Sequence, residues 1–511
     1  MAYHALSYFA LFIPVLMLVY SLVPSGFRWM VLLCADYVFF WIWSGWLLLY
    51  NVAASLFTWI IGMKLESMKK IPKDVDKKQF KKKRKRILVT GILCNLLVLI
   101  ALKYTNFLGE NIWNLAGSEW KKLNILVPIG ISYYTLQEIS YLSDISSGKI
   151  TAEKNPAKLA LYLSFFPILV EGPISRYSEI SDDLYAGKDI SYENLTSGYR
   201  RILWGLFKKM TIADYLAIAT DVLFTKHTGT GSLCLTAAVF YTIQLYADFS
   251  GTIDVVIGSA KIFGVILPEN FRQPFFAKDA GEFWRRWHIT LGAFLRDYVF
   301  YPVSLSKPVM KLSKQVKKKF GAKPAKMIGP LIALAVVWLC NGFWHGPYWT
   351  YILYGIYYLI ILGTEMIIKE PSQKLYAKLH ISESNKGLRV FRFVKLMIII
   401  IFGEMLFRAD SAVIAREMFT SIFMNFRFDL WKQEILMLGL GRIDYMIIAF
   451  SFMIVIIADI LKEKNISLIS RIEKMPAPAR WALWYACILY VVFLGAYGPG
   501  YTAEAMMYAG F

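Results

Sequence analysis

The stretch LIALAVVWLCNGFWHGPYWTYILYGIYYLIILGTEMII, residues 331–368, decides the fold class. Two apolar runs, residues 331–340 and 348–368, flank a short turn at residues 341–346 that holds a single histidine, His345. A membrane-spanning helix needs roughly 20 mostly apolar residues. The pattern therefore predicts a membrane hairpin with His345 at its tip. A side chain that titrates near neutrality at this depth is a candidate acid–base residue, and the alternative is a core histidine bonded to a backbone carbonyl.

The whole chain shares this apolar character. It has 511 residues, of which 57% are hydrophobic and only 18% charged, whereas about a quarter of the residues in soluble domains are charged. The composition excludes a soluble globular protein and predicts an all-α, polytopic membrane protein. The apolar segments that predict spans are residues 6–23, 29–61 (one span or two), 87–104, 159–170, 233–263, 328–343, 348–368, 394–407, 445–461 and 481–496.

The net charge of +21 is concentrated in four basic clusters, at residues 64–86, 307–326, 369–395 and 462–480. Nucleic acid is one conceivable partner, but basic segments between apolar spans are the usual mark of the cytoplasmic side. We therefore expect anionic lipids and no nucleic acid at these clusters. This orientation places His345 and residues 410–442 on the outer side. It leaves the side of the N-terminus open.

One charged segment is not an ordinary span. Residues 282–288, EFWRRWH, lead directly into residues 289–303. Each charge at mid-bilayer would cost about 2.5–3.5 kcal/mol, which excludes a lipid-facing helix. In one continuous helix Arg285, His288, Gly292 and Arg296 would share a stripe, while Glu282 and Arg286 would pair. The segment is either an interfacial amphipathic helix or a helix that lines a polar cavity, and the histidine on the stripe favours the second interpretation.

Other polar or broken segments occur in apolar surroundings. Gln244 and Asp248 lie one helical turn apart, and proline and glycine interrupt residues 128–134 and 171–177. Broken backbone at membrane depth is tolerated only against protein or water. These segments together predict a wet interior and a re-entrant or bent element at residues 128–134. The five cysteines show neither metal-ligand nor disulfide spacing, so we expect no metal site.

Five of these stretches carry a family resemblance: residues 126–144, 171–177, 246–251 with 267–271, 282–302 and 341–355. They resemble the membrane-bound O-acyltransferase family, and within it the branch of bacterial alginate O-acetylation. The likeness covers about residues 85–425, and further helices follow at about residues 440–500. It implies one membrane-embedded domain over residues 1–511, with about 11–13 transmembrane helices plus re-entrant or interfacial helices around a central cavity.

The resemblance also implies site residues. His345 matches the catalytic histidine of the family, as a general base or as a carrier of the acyl group. His288 matches the second histidine of the pattern, which would orient the substrate or His345, unless it only hydrogen-bonds within an interfacial helix. Further candidates for lining the cavity or binding substrate are Asp248, Arg285, Arg286, Arg296, Asp297, Asn341 and Trp344.

The activity implied is transfer of an acetyl group from cytoplasmic acetyl-CoA, a substrate rather than a permanently bound cofactor. The acceptor would be a hydroxyl of an extracytoplasmic polysaccharide, reached through an esterase-like partner protein outside a bacterial cytoplasmic (inner) membrane. Three alternatives remain. They are D-alanyl transfer toward teichoic acid, whose enzymes resemble this chain without its C-terminal helices, acylation of a lipid, and transport of an acyl donor by a transporter or flippase.

Overall fold

The computed structural model describes residues 3–5, 7–73 and 76–497, and every regular element in them is helical. The all-α class is therefore confirmed. By the packing of the chain, these residues form two compact units. The first holds the chain up to Ile202 together with Thr252–Pro268, and the second holds Leu203–Gly251 and the chain from Glu269 onward. The single domain predicted over residues 1–511, which reaches beyond the described residues, stays a prediction.

In the first unit, short helices alternate with long ones. Its elements are Tyr8–Phe12, Ile13–Leu22, Ser25–Phe27, Arg28–Ser44, Gly45–Leu47, Leu48–Ser67, Lys77–Lys103, Thr105–Leu115, Ile131–Ser147, Pro156–Ser164, Phe166–Leu169 and Tyr177–Tyr185. Two helices, Tyr192–Lys208 and Gly231–Ile262, contribute residues to both units.

Helix Ile131–Ser147 is buried along nearly its whole length and packs against Lys77–Lys103 and Leu48–Ser67. It begins directly after Gly130, whose φ of +74° is readily reached only by glycine. A Cβ at Gly130 would lie 2.1 Å from the carbonyl oxygen of Leu169. The bend predicted at residues 128–134 is therefore confirmed, and close approach of two backbones is its physical cause.

The second unit contains the longest series of helices. Its elements are Lys209–Ala213, Asp214–Lys226, Pro274–Phe276, Ala280–Arg286, Ile289–Leu295, Arg296–Phe300, Tyr301–Ser304, Lys307–Phe320, Ala322–His345, Trp349–Lys378, Lys386–Arg408, Ala412–Met424, Phe428–Glu434, Arg442–Glu463, Leu468–Glu473 and Ala477–Leu494.

Seven helical stretches of the described chain are long and apolar enough to cross a membrane. They are Ser25–Ser67, Lys77–Lys103, Gly231–Ile262, Ala322–His345, Trp349–Lys378, Arg442–Glu463 and Ala477–Leu494. The apolar helical stretch Tyr8–Leu22 is shorter, and Leu6, where we predicted the first span to begin, lies outside the described residues. The chain is therefore a multi-pass membrane protein, whereas the count of 11–13 spans stays a prediction.

Two predicted spans need correction or refinement. Residues 159–170 do not form one spanning helix, because Pro167 cannot continue a helix from the preceding turn; the chain leaves helical geometry at Phe165 and divides into Pro156–Ser164 and Phe166–Leu169. Residues 29–61 form two helices, Arg28–Ser44 and Leu48–Ser67, joined by the 3₁₀ turn Gly45–Leu47.

All four basic clusters lie partly on helices. Lysines and arginines of the first cluster form the opening turns of Lys77–Lys103, and those of the second form Lys307–Phe320. Lys307–Phe320 packs against the following helix, Ala322–His345. The positive charges are therefore held on ordered helices at the ends of apolar elements.

The predicted hairpin is confirmed. Ala322–His345 ends at the histidine, and Trp349–Lys378 begins after three intervening residues and packs back against it. Two glycines allow the close approach. A Cβ at Gly342 would lie 2.5 Å from the carbonyl oxygen of Tyr351, and one at Gly355 would lie 2.4 Å from that of Trp338. The packing of these two helices fixes where the turn places His345.

Candidate active site

His345 occupies the last position of its helix and is 6% exposed. Four aromatic rings surround it: the ring of Phe407 stands edge to face with the imidazole at a centroid distance of 5.0 Å, and those of Trp344, Tyr351 and Tyr354 lie at 5.1, 6.0 and 6.1 Å. The carbonyl end of a helix interacts favourably with a cation. The surrounding rings therefore fix the orientation of the imidazole at the carbonyl end of its helix.

Trp344 joins the two histidines of the predicted site. Its ring lies 5.7 Å from that of His288 and 5.1 Å from that of His345. Asn341, one turn before His345 on the same helix, is 5% exposed. The structure therefore gathers four of the predicted residues, although they come from two segments more than 50 positions apart in the sequence.

The continuous helix expected through His288 is wrong. Ala280–Arg286 ends at Arg286, Trp287 is extended, and His288 has a φ of +46° before the next helix, Ile289–Leu295. The stripe of Arg285, His288 and Arg296 therefore does not exist. A left-handed conformation costs a residue with a side chain roughly 1–2 kcal/mol. Such strain persists only where surrounding contacts impose it, and it is common at functional sites.

Hydrogen bonds define the protonation of His288. The Asn270 Oδ1 accepts from the backbone N–H of Thr290 at 3.0 Å and from the Thr290 hydroxyl at 2.9 Å, so this atom is the oxygen of the amide. His288 Nδ1 lies 3.3 Å from the same oxygen and must carry a proton to donate to it. Burial lowers the pKa of His288 to about 3. The ring is therefore neutral at pH 7 and presents Nε2 as its acceptor nitrogen.

The arginines of this segment differ in their surroundings. Arg286 contacts Glu282 at 2.7 Å, which confirms the predicted pair, and also Glu463 at 2.8 Å. The hydrogen bond with Glu463 is the main cause that raises the pKa of Arg286. Arg285 is exposed, and so is Arg296, which pairs with Asp297 at 2.8 Å. Roles for these side chains in binding substrate stay predictions.

Asp248 belongs to a separate cluster. The Lys209 ammonium lies 3.0 Å from its carboxylate and 2.8 Å from that of Asp214, and all three side chains are buried. The sequence analysis missed Lys209, although a lysine pair within the apolar stretch at residues 202–224 was a signal for it. In this buried cluster one ammonium is shared by two carboxylates, and a contribution of Asp248 to substrate binding stays a prediction.

Sequence analysis also missed Glu404. This carboxylate is 2% exposed, and its Oε1 accepts from the Tyr354 hydroxyl at 3.3 Å. Glu404 and Phe407 lie on the same helix, Lys386–Arg408, so that helix contributes both a ring and an acid near His345. The signal was present in the sequence, because Glu404 is the only charged residue between Lys395 and Arg408.

One cavity of the second unit, with a volume of about 490 Å³, lies elsewhere. Its lining is mostly apolar and contains neither histidine; it is formed by Ser232, Leu235, Thr236, Val239, Phe240, Phe426, Phe428, Trp431, Ile435 and Tyr445. The central cavity expected around His345 therefore stays a prediction.

Comparison with known proteins gives the chemistry a context. The sequence model of the membrane-bound O-acyltransferase (MBOAT) family matches residues 153–407, which include His288 and His345. The chain is 31% identical over 417 residues to a probable alginate O-acetylase, AlgI, of Azotobacter vinelandii, a match that covers 81% of this chain and 76% of the relative.

Two other relatives match less of the chain. A peptidoglycan O-acetyltransferase of Helicobacter pylori is 32% identical over 316 residues, or 57% of each chain. A teichoic acid D-alanyltransferase of Bacillus subtilis is 29% identical over 244 residues, which is 47% of this chain and 59% of the relative. All three relatives are named for the transfer of an acyl group.

Proposed function

Because this chain belongs to the membrane-bound O-acyltransferase family and is a multi-pass membrane enzyme, we propose that it transfers an acetyl group from acetyl-CoA to a hydroxyl of a polysaccharide. The donor would bind from the cytoplasm and the acceptor would lie outside a bacterial cytoplasmic membrane. The observation that carries the proposal is His345, held by aromatic rings at the end of its helix and joined through Trp344 to a second buried histidine.

The relatives favour acetyl transfer over D-alanyl transfer. The match to the alginate O-acetylase runs over 81% of this chain, whereas the match to the teichoic acid D-alanyltransferase runs over 47%. The choice of alginate, peptidoglycan or another polymer as acceptor does not follow from this difference. We therefore propose the class of reaction and the class of acceptor, a polysaccharide hydroxyl.

In the proposed reaction the His345 imidazole acts as a general base. It takes the proton of the acceptor hydroxyl while that oxygen attacks the thioester carbonyl, and the departing CoA thiolate then receives the proton. General bases typically contribute about 10²–10⁴-fold to a rate. In the other possible mechanism His345 first takes the acetyl group itself and releases CoA before the acceptor binds.

His288 has a different role in this scheme. Because its pKa is about 3, its Nε2 is a poor proton acceptor, but it can accept a hydrogen bond without changing charge. We propose that His288 orients a hydroxyl or amide of a substrate next to Trp344. The strained backbone of His288 fixes the direction of that hydrogen bond.

Two further proposals concern the surroundings of the enzyme. The helices rich in lysine, Lys77–Lys103 and Lys307–Phe320, would attract anionic lipid headgroups and the phosphates of CoA on the cytoplasmic side. On the outer side, an esterase-like protein would accept the acetyl group and deliver it to the polymer.

The test uses the purified full-length protein in liposomes with acetyl-CoA labelled in the acetyl group. Release of free CoA that requires added acceptor supports general-base transfer, and one equivalent released without acceptor supports an acetyl-histidine intermediate. Palmitoyl-CoA serves as the competing donor. Acetyl-CoA that crosses the membrane intact, or CoA released only from palmitoyl-CoA, would contradict the proposal.

A further inference from the structure

Two acidic residues on the helix Arg442–Glu463 point at the segment that carries His288. Asp459 and Glu463 lie four residues apart and therefore on one face of that helix. Asp459 is 8% exposed. This helix lies beyond residues 153–407, the part of the chain that matches the family model. The match to the family model therefore assigns no role to Asp459 or Glu463.

The first contact is the ion pair of Glu463 with Arg286. The two terminal nitrogens of the Arg286 guanidinium donate to the two carboxylate oxygens of Glu463 at 2.8 and 3.1 Å, and one of them also donates to Glu282 at 2.7 Å. Paired hydrogen bonds of this geometry fix orientation as well as distance. Arg286 is the last residue of its helix, two positions before His288.

The second contact is a buried hydrogen bond from the Tyr246 hydroxyl to Asp459 at 2.6 Å. The Tyr246 ring lies 5.0 Å from that of Phe275 and 6.1 Å from that of Trp287. Trp287 is the residue directly before His288. Asp459 therefore acts through one aromatic ring on the position next to the histidine.

These two contacts meet where the backbone leaves helical geometry. Trp287 is extended and His288 is left-handed, so helical geometry stops at Trp287, whose N–H closes the helix on the Phe283 carbonyl at 2.8 Å. A conformation that costs roughly 1–2 kcal/mol persists only when neighbouring groups impose it. Asn270 holds His288 from one side, and the helix Arg442–Glu463 holds the two residues before it.

We propose that Asp459 and Glu463 are positioning residues, which hold Arg286 and Trp287 so that His288 faces the acyl-transfer site. The inference rests on the proposed function, since it assumes that His288 takes part in binding substrate. It gives the helix Arg442–Glu463 a part in the acyl-transfer site in addition to any part in membrane anchoring.

The experiment measures kcat and KM for acetyl-CoA in liposomes, with the thermal midpoint of each variant. We expect Asp459→Asn combined with Glu463→Gln to lower kcat about 10-fold or more while KM changes less than about twofold, because small displacements of a positioned group cost rate. Tyr246→Phe should match Asp459→Leu, which has no acceptor oxygen, and the pair should lose no more than either alone, since each removes the same hydrogen bond. The control is Asp444→Asn, the same chemical change on the same helix.

Each outcome is decisive. A folded double variant with normal kcat overturns the inference, and so does a lower thermal midpoint with normal kcat per folded enzyme, which would mean a structural role only. Additive losses for Tyr246→Phe and Asp459→Leu would also contradict it. His345→Ala runs in the same assay. If that variant is active, the proposed function is wrong; if it is inactive while the double variant is fully active, only this inference fails.

Discussion

His288 donates from Nδ1 to the Asn270 oxygen at 3.3 Å, while Thr290 donates two further hydrogen bonds to that same oxygen. The oxygen is thus saturated with donors, and the histidine must keep its proton on Nδ1. A single buried asparagine therefore fixes the tautomer of His288 and the direction in which its Nε2 accepts. This is the arrangement expected for a group that orients a substrate without exchanging protons.

The neutral state of His288 predicts how stability depends on pH. Its pKa is about 3 in the folded protein and about 6.5 when unfolded. Between these values the unfolded chain binds more protons, so lowering the pH favours unfolding by up to ~1.4 kcal/mol per pH unit. Thermal midpoints measured from pH 7 to pH 4 should fall less steeply for His288→Asn, which tolerates the left-handed backbone. Equal slopes would contradict a buried neutral histidine.

The buried ion cluster predicts an unusual order of stabilities. Lys209→Met leaves the carboxylates of Asp214 and Asp248 buried without their cation, which typically costs about 3–5 kcal/mol. The triple variant that adds Asp214→Asn and Asp248→Asn removes these charges and should recover much of the loss. The measurement is the thermal midpoint in detergent. A triple variant less stable than Lys209→Met would refute this account of the cluster.

The aromatic rings around His345 predict that the Tyr354 hydroxyl holds one of those rings in place. Its hydrogen bond to Glu404 holds a ring that lies 6.1 Å from the imidazole. Tyr354→Phe and Glu404→Ala should each lower kcat several-fold, and together lose little more. Tyr357→Phe is the matched control, because that hydroxyl donates to the carbonyl of Ile399 instead. Equal rates for the Tyr354 and Tyr357 variants would exclude the role.

The hairpin predicts opposite effects of one substitution at two positions of a single helix. Gly355→Ala would place a Cβ 2.4 Å from the Trp338 carbonyl oxygen, so the helices must move apart at a cost of about 1–3 kcal/mol. Gly363→Ala meets its nearest atom at 3.8 Å and should be neutral or stabilising. Thermal midpoints of the two variants test this, and equal midpoints would mean that the close packing does not exist.

Much of this architecture could be predicted from the sequence, because hydropathy and glycine report directly on membrane helices. The apolar runs around residues 341–346 predicted the hairpin and placed His345 at its tip. Gly130 predicted a bend that the structure contains. The pair Glu282 and Arg286 followed from helical spacing, since both lie within one short helix.

The rest depended on contacts that spacing cannot reveal. The break at Trp287 and His288 was invisible, since neither residue is a helix breaker and the side chains that contact them, such as Asn270 and Tyr246, belong to other segments. Residues 159–170 are apolar because protein buries them, not because they span a membrane. Glu463 lies 177 positions from Arg286, a distance over which one sequence carries no pairing signal.

The central claim is that the His345 imidazole performs the acyl transfer, and His345→Ala in the purified enzyme tests it most directly. The matched control is His380→Asn, which changes an exposed histidine with a positive φ. With both variants folded and inserted, we predict that acceptor-dependent release of CoA falls about 10²–10⁴-fold for His345→Ala and is unchanged for the control. Transfer by His345→Ala at the wild-type rate would contradict the account.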